Sequence, residues 1–189
     1  LYARVDEKER MDAAAPDVGD TAPNFTAERL TAEGRRTGAT VRLSDLQSKP
    51  VGLMFGSYTC PIFRDQIDRY EDIYRELKGD RNFLCVYIRE AHPEEGWRVP
   101  QNYEHGIFLS QPADLDQRAE RARCCIADKN MSIPLALDSM EDSLMHLYAG
   151  SPERLYVIGT DGRIAFKSAT GPYDDDEVEA WYAALKAAR

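Results

Sequence analysis

The pattern of apolar and polar positions divides the chain into short apolar runs and amphipathic stretches. Residues 51–56 and 82–88 are short runs rich in apolar side chains, which is typical of strands that are buried on both faces. From Pro61 to Leu77 the apolar side chains recur at steps of three or four residues, so this stretch is predicted to be an amphipathic helix. Proline suits the first turn of a helix, where a backbone N–H has no intrahelical partner.

The rest of the chain continues this alternation of strands and helices. Residues 26–43 predict a hairpin, and the later pattern predicts three helices, one strand and a second hairpin. The helices fall at 114–127, 140–148 and 178–185, the strand at 134–138 and the second hairpin at 155–168. Strands that alternate with helices imply a parallel core joined by right-handed crossovers. We therefore predict an α/β, thioredoxin-like fold with an N-terminal β-hairpin and an insertion loop before the second core helix.

The chain length of 189 residues suits one domain. Residues 1–17 are charged and then rich in alanine, and we interpret them as an N-terminal arm, with a short helix, that precedes a single domain at 18–189. Residues 89–113 hold three prolines, two glycines and two of the three histidines, and a loop of this length is usually functional or disordered. Because the sequence begins with Leu1, we expect a processed product, from which an upstream signal or anchor can have been removed.

Composition and charge exclude several classes of protein. The formal net charge is −9, which argues against nucleic acid as a partner because phosphates require a basic surface. No apolar run approaches the roughly 20 residues that span a bilayer. We therefore expect a soluble domain, with a cytoplasmic location favoured.

The four cysteines argue against two kinds of site. Their spacing lacks the paired Cys-x2-Cys ligands of a zinc centre, so no metal is predicted. Phe63 occupies the position of the second thiol in a Cys-x-x-Cys oxidoreductase, which excludes a disulfide across the turn. Reducing equivalents must then come from another cysteine or from an external thiol, and no bound cofactor is expected.

Cys60 is the candidate nucleophile. It lies between a predicted strand and the helix that begins at Pro61, and the N-terminus of a helix stabilises an anion. A thiol at this point is expected to have a lowered pKa and to be a better nucleophile. Ser57 and Thr59 can offer hydroxyl hydrogen bonds to a thiolate or a substrate. The alternative for Cys60 is a structural cysteine that is buried in the core.

The other cysteines fall at less informative positions. Cys85 lies within a predicted strand and is expected in the core. On the predicted helix at 114–127, Cys124 lies opposite the apolar stripe and Cys125 at its flank. Cys124 is thus expected to be exposed, either as a resolving thiol or as a cysteine without a role.

The predicted fold places five further residues near the turn at 57–60 that carries Cys60, called the active turn below. Pro152 precedes a strand at a point where thioredoxin-like folds often have a cis proline facing the reactive cysteine. Arg154 begins that strand and can stabilise a thiolate, hold an acidic group of a substrate, or form a surface ion pair. Glu90 and His92 follow the second core strand and should lie at the same carboxyl edge, where His92 can transfer protons. Trp97 offers a flat face to an aromatic ligand, or packs the loop down.

Several segments resemble known families. Residues 18–25 resemble the entry segment of the redoxin and peroxiredoxin-like superfamily. Residues 55–63 (Phe-Gly-Ser-Tyr-Thr-Cys-Pro-Ile-Phe) resemble the active turn of the iodothyronine deiodinases, which reads Phe-Gly-Ser-x-Thr-selenocysteine-Pro-x-Phe. Residues 87–97, which contain Glu-Ala-His-Pro and Gly-Trp, and residues 153–158 with the Gly171-Pro172 turn are similar to later segments of the same family. The resemblance covers roughly residues 40–185.

The resemblance implies reductive removal of iodine from an iodinated phenolic ring, such as that of an iodothyronine or iodotyrosine. Cys60 takes the position of the selenium nucleophile, and external thiols or a thioredoxin-like partner would reduce it. His92 with Glu90 matches the positions that contact substrate and relay protons, and Arg154 matches a residue that holds the amino-acid end of the ligand. Tyr58 stands where several members carry a cysteine. A homodimer is also implied.

Cysteine in place of selenocysteine predicts slower turnover or a different substrate, because sulfur is the poorer nucleophile. A further histidine of the family corresponds to Pro112 here. Two alternatives to a deiodinase-like enzyme follow from the same residues. One is a peroxiredoxin-like thiol peroxidase or thiol-disulfide oxidoreductase, in which Ser57 lies three residues before Cys60 and Arg154 polarises a peroxide. The other is a redox-inert domain that binds an aromatic ligand.

Overall fold

The computed structural model describes residues 2–171 and 173–189, with side chains from Glu7 onward. Leu1 of the predicted arm and Pro172 of the late turn lie outside the described residues. The helices and strands follow in chain order as α1 Tyr2–Ala14, β1 Thr26–Arg29, β2 Thr40–Arg42, α2 Leu43–Leu46, β3 Val51–Gly56, α3 Pro61–Leu77, β4 Asn82–Tyr87, α4 Pro100–Glu104, α5 Leu115–Lys129, β5 Leu135–Leu137, α6 Ser143–Tyr148, β6 Arg154–Ile158, β7 Ile164–Lys167 and α7 Asp175–Ala187.

Within the described residues, seven strands form one sheet in the order β2-β1-β5-β4-β3-β6-β7. The central strands β3, β4 and β5 pair in parallel, and β6 joins β3 antiparallel before turning back into β7. The hairpin β1–β2 extends the other edge through an antiparallel pairing with β5. This topology confirms the predicted parallel core, the closing antiparallel hairpin and the hairpin at the N-terminal side.

Strand β3 is buried on both faces because its side chains alternate between two apolar layers. Met54 points into one layer with Phe63 of α3 and Trp181 of α7, and Phe55 points into the other with Tyr148 of α6. All six residues of β3 are buried. Burial of one such side chain contributes roughly 1.5–3 kcal/mol, so the strand and the helices on its two faces stabilise each other.

The end of β3 approaches α3 very closely. Phe63 lies in the first turn of α3 and packs its ring over the backbone of Gly56, where an added Cβ would lie 2.3 Å from the Phe63 ring. Only glycine permits this approach. The contact holds the turn at 57–60 in a short path between the strand and the helix.

The insertion at 89–113 is more ordered than the predicted loop. It contains the short helix α4, which begins at Pro100 after an extended Val99. Asn102 of α4 donates its side-chain amide to the carbonyl oxygen of Thr59 at 3.0 Å. Gln111, near the end of the insertion, brackets the backbone of Glu90 with bonds of 2.9 and 2.6 Å to its N–H and carbonyl.

The N-terminal arm is a helix of thirteen residues, longer than the short helix predicted for it. Polar contacts, rather than a regular apolar stripe, attach it to the domain. The carboxylate of Asp12 lies 2.7 Å from the Arg154 guanidinium and 3.5 Å from the Lys167 ammonium. Lys8 donates to the carbonyl oxygens of Thr170 and Gly171.

We expect Gly56→Ala to lower the free energy of unfolding by about 1–3 kcal/mol, because the added methyl group overlaps the Phe63 ring in a packed core. Urea denaturation of both proteins measures the difference. Gly79→Ala is a matched control, since nothing lies within 4 Å of a Cβ at Gly79. Equal stabilities for the two variants would show that the turn adjusts to the extra methyl group without cost.

Candidate active site

Cys60 occupies the N-terminal boundary of α3, with Pro61 as the first helical residue. Its N–H donates to the Ser57 carbonyl oxygen at 3.1 Å, which closes the turn after β3, and its own carbonyl oxygen accepts from Arg64 N–H at 3.1 Å. The side chain is 2% exposed. The structure therefore places Cys60 at the predicted strand–helix junction, but beneath the surface.

The expected lowering of the Cys60 pKa is wrong for this structure. Burial is the largest influence and raises the pKa of the thiol, and the negative charge of Glu153 raises it further. The backbone N–H groups of Phe63 and Ile62 and the charge of Arg64 lower it, as a helix N-terminus should, but they do not offset the loss of solvent. The surroundings of Cys60 therefore hold the pKa of its thiol above the usual value.

The carboxylate of Glu90 joins the active turn to the second core strand. It is 2% exposed and accepts hydrogen bonds from Thr59 N–H at 3.0 Å, from the Thr59 hydroxyl at 2.7 Å and from the Tyr87 hydroxyl at 2.6 Å. Burial raises the pKa of Glu90, and the hydrogen bonds from Tyr87 and Thr59 oppose that rise. Glu90 therefore lies at the carboxyl edge beside the turn, as the fold predicted.

The hydroxyl groups of the turn hold the insertion in place. Ser57 Oγ accepts from the Ala91 amide at 3.0 Å, and Thr59 Oγ1 accepts from the His92 amide at 3.1 Å. Since the single hydroxyl proton of Thr59 goes to Glu90, this group does not donate to the sulfur. Ser57 and Thr59 thus lie in the turn, but the hydrogen bonds of their hydroxyl groups go to the insertion backbone and to Glu90.

The His92 side chain lies at the rim of the site. Its Nδ1 is 2.9 Å from the carbonyl oxygen of Trp97, and the two rings meet edge to face at 4.8 Å. Trp97 remains 54% exposed, so it does not pack the insertion down as a buried plug would. The pair leaves an aromatic face open to solvent beside the turn.

Tyr58 and Pro61, the other members of the predicted turn, are buried. The Tyr58 N–H donates to the Tyr87 hydroxyl at 3.0 Å, so one tyrosine of β4 contacts both the turn and Glu90. The Ser151–Pro152 peptide bond is cis, as the fold predicted for a proline before this strand.

Arg154 is not brought to the active turn, which corrects its predicted placement. Leu155 and Val157 of β6 pack in the apolar layer that holds Cys60, while Tyr156 packs in the opposite layer. Because side chains alternate along a strand, Arg154 faces with Tyr156, away from Cys60. There its guanidinium lies 5.7 Å from the Tyr156 ring centroid and pairs with Asp12 of α1.

The preceding residue, Glu153, occupies the cysteine side and was missed by the sequence analysis. It is fully buried, and neither carboxylate oxygen has a hydrogen-bond partner among the described residues. Burial raises the pKa of Glu153 to about 8, although the Tyr173 amide and the charge of Lys8 partly offset the rise. Its position directly after Pro152, at the start of the strand beside the turn, is the sequence signal that would have made it a candidate.

The three remaining cysteines are free thiols. Cys85 is fully buried in β4, as predicted. On α5, Cys125 belongs to the buried face rather than to its flank, and Cys124 is the more exposed of the two, as expected. Among the residues that the structure describes, no group of three or more His, Cys, Asp or Glu side chains is arranged to hold a metal ion.

A parallel core with an antiparallel closing hairpin, a cis proline before β6 and one cysteine at the start of α3 define a thioredoxin-like protein with a single thiol in its active turn. The family model described as iodothyronine deiodinase matches residues 6–186. The chain belongs to the iodothyronine deiodinase family.

Curated relatives agree with this assignment. The chain is 34% identical over 155 residues to the type II iodothyronine deiodinase of Petromyzon marinus, covering 80% of this chain and 53% of that protein. It is 29% identical over 163 residues to the type I enzyme of Xenopus laevis, covering 85% and 61% respectively. The chain thus spans little more than half of the length of these relatives.

Solved structures support the fold. The peroxidoxin BcpB of Mycobacterium tuberculosis superposes with a TM-score of 0.61 at 16% identity, covering 92% of this chain and 99% of that chain. The thioredoxin domain of a thiol-disulfide oxidoreductase from Bacteroides vulgatus gives 0.59 at 17% identity, covering 93% and 100%. The predicted thioredoxin-like class is thereby confirmed. In the described part of the chain, no helix is both long enough and apolar enough to cross a bilayer.

We expect the thermal stability of the protein to fall as pH rises between about 4.5 and 8, in part through Glu153. Its pKa rises from 4.5 to about 8 on folding, so in this window the folded chain holds a proton that the unfolded chain has lost. Glu153→Gln cannot ionise, so its melting temperature should fall less than that of the wild type over the same window.

Melting temperatures of both proteins at several pH values test this expectation, with Glu104→Gln as the exposed control. The difference from wild type should change more with pH for Glu153→Gln than for Glu104→Gln, which removes an exposed carboxyl group. The same pH dependence for the two variants would show that folding does not raise the pKa of Glu153.

Proposed function

We propose that this chain is a cysteine-dependent reductive dehalogenase that removes iodine from iodinated phenolic rings of the iodothyronine or iodotyrosine type. One observation carries the proposal. Within a chain of the deiodinase family, the Glu90–His92 stretch is hydrogen-bonded to the same turn that presents Cys60 at the start of α3. This arrangement supports the proposal because the Cys60 thiol, the buried carboxyl group of Glu90 and the residue that carries the imidazole, His92, lie at one edge of the sheet.

The reaction begins when the Cys60 thiol loses its proton to water and the resulting thiolate attacks the iodine of the ring. A sulfur–iodine bond forms, the carbon–iodine bond breaks, and its electron pair remains on the ring carbon, which takes up a proton. An external thiol then attacks the sulfur of Cys60, releasing iodide and forming a mixed disulfide. A second thiol frees Cys60, so that two thiols become one disulfide for each iodide released.

His92 is proposed to supply the proton at the ring carbon, because an imidazole transfers protons near neutral pH. Glu90 holds the peptide stretch that carries His92 in place through Thr59. The open face of Trp97 is proposed to contact the aromatic ring of the substrate. No bound cofactor enters this scheme, and the electrons come from a small thiol or a thioredoxin-like partner.

Cys124 is the better placed of the two adjacent cysteines to act as a resolving thiol, since it is the more exposed. If it resolves the Cys60 intermediate, an intramolecular disulfide replaces the first mixed disulfide with the external thiol. Cys125 lies in the core and would require movement of α5 to react.

A peroxiredoxin-like peroxidase is the weaker proposal. It relied on Arg154 to polarise the peroxide beside Cys60, and Arg154 instead pairs with Asp12 on the other face of the sheet. The position of Arg154 on the other face affects the deiodinase-like mechanism less, because that mechanism loses only a contact to the amino-acid end of its ligand.

We expect Cys60→Ser to reduce iodide release from diiodotyrosine or an iodothyronine, with dithiothreitol as reductant, by at least about a hundredfold, because the nucleophile is removed. An iodide-selective assay measures the rate. Cys124→Ser is the matched control and should retain turnover, since excess dithiothreitol replaces any resolving thiol.

Peroxide consumption is measured in parallel on the same three proteins. Peroxide turnover that depends on Cys60, without iodide release, would replace this proposal with the peroxidase. Binding of an iodinated phenol without turnover of either substrate would replace it with a redox-inert binding domain.

A further inference from the structure

Arg64 lies one helical turn after Cys60 on α3 and is 2% exposed. Its backbone N–H donates to the Cys60 carbonyl oxygen at 3.1 Å. One guanidinium nitrogen, Nη1, donates to the carbonyl oxygen of Tyr58, and the group lies 5.6 Å from the centroid of the Tyr58 ring. The second terminal nitrogen, Nη2, is buried and has no hydrogen-bond partner among the described residues.

A buried cation with no anionic partner is costly, because the loss of hydration is not offset by a nearby opposite charge. Arg64 forms no ion pair with any carboxylate of the described residues, whereas the equally buried Arg118 and Arg154 each have one. Its contacts are a carbonyl oxygen and an aromatic ring. An anion that forms beside Arg64 would therefore offset part of the cost of burying its charge.

Arg64 contacts the backbone of the turn on both sides of the Cys60 side chain, at the carbonyl oxygens of Tyr58 and of Cys60 itself. The Cys60 sulfur is the group of this turn that changes charge in the proposed reaction. The charge of Arg64 lowers the pKa of Cys60, and it acts in the same direction on Cys125 of α5 and on Tyr58. From the segment before β6, Glu153 raises the pKa of Cys60.

Two tyrosine hydroxyls complete the surroundings of Cys60. Tyr70 of α3 and Tyr173 of the segment before α7 lie near enough to the sulfur that its charge raises the pKa of each. Their own hydroxyls lie 3.1 Å apart. Arg64 is the cation that lowers the pKa of Cys60, so it is the candidate for the role of counter-ion.

We propose that Arg64 is the buried counter-ion of the Cys60 sulfur, held in place by the Tyr58 carbonyl, with its unpartnered Nη2 group available to the negative charge that develops on the sulfur. Sulfur needs this help more than selenium would, because a thiol gives up its proton less readily than a selenol. The inference rests on the proposed function only for the identity of the electrophile, since thiolate stabilisation is measurable without turnover.

The first test is the rate at which iodoacetamide alkylates Cys60 at pH 8, followed by peptide mass spectrometry so that the other cysteines do not contribute. Arg64→Gln keeps an N–H donor for Tyr58 but removes the charge, and the rate should fall about tenfold or more, since an opposite charge nearby shifts a pKa by roughly 1–3 units. Arg64→Lys keeps the charge and should remain within about threefold of the wild type. Arg69→Gln, on the same helix but paired with Glu179, is the control and should be unchanged.

A second measurement uses the wild-type side chain. In nitrogen-15 NMR, the Arg64 guanidinium resonances should shift with the fraction of Cys60 thiolate as pH is raised, and the shift should be absent in Cys60→Ser. Unchanged alkylation in folded Arg64→Gln, or resonances that ignore Cys60, would show that Arg64 is only a strap for the Tyr58 carbonyl. An intact coupling without iodide release would instead refute the proposed function and leave the counter-ion standing.

Discussion

The buried carboxylate of Glu90 is the interaction on which the active turn depends. An ionised carboxylate is costly to bury unless hydrogen bonds replace its hydration, and here three of them come from Tyr87 and Thr59. These donors belong to strand β4 and to the turn, while the backbone of Glu90 is held by Gln111 from the insertion. Glu90 therefore links the sheet, the turn and the insertion through one buried side chain and its backbone.

The same burial determines the chemistry available to the turn. Without solvent, the helix N-terminus does not suffice to keep Cys60 ionised, so the balance of nearby side-chain charges decides its reactivity. Glu153 has a pKa of about 8, so at neutral pH it is mostly uncharged and opposes the thiolate little. The charge of Arg64 opposes the effect of burial on the pKa of Cys60. That opposition weakens as Glu153 ionises, because its negative charge raises the pKa of the thiol further.

Periodicity predicted the core strands and the long helices because each of these elements buries a regular set of apolar positions. The glycine at the end of the predicted strand and the proline at the start of the predicted helix likewise placed Cys60 at the strand–helix junction. Periodicity failed for Arg154 because β6 is buried on both faces, so its continuous burial does not reveal which side each residue takes. The rise in the pKa of Cys60 was missed for a related reason. Cys60 is buried in an apolar layer with residues from distant parts of the chain, such as Leu155 and Tyr173, which local sequence cannot position.

Cys60 is 2% exposed, so the ring of the proposed substrate can reach its sulfur only if a neighbouring group moves. The hydrogen bonds around the turn indicate which contacts cost least to break. Displacing Glu90 would break three bonds to a buried carboxylate, each worth roughly 1.5–3 kcal/mol. Displacing α4 would break one neutral bond from Asn102 to Thr59, worth about 0.5–1.5 kcal/mol. It would also free the Asn102 side-chain oxygen, which is buried without a partner in the closed structure. The bond from Asn102 to Thr59 is therefore the cheaper of these contacts to break, and its loss leaves the hydrogen bonds of Glu90 to the turn intact.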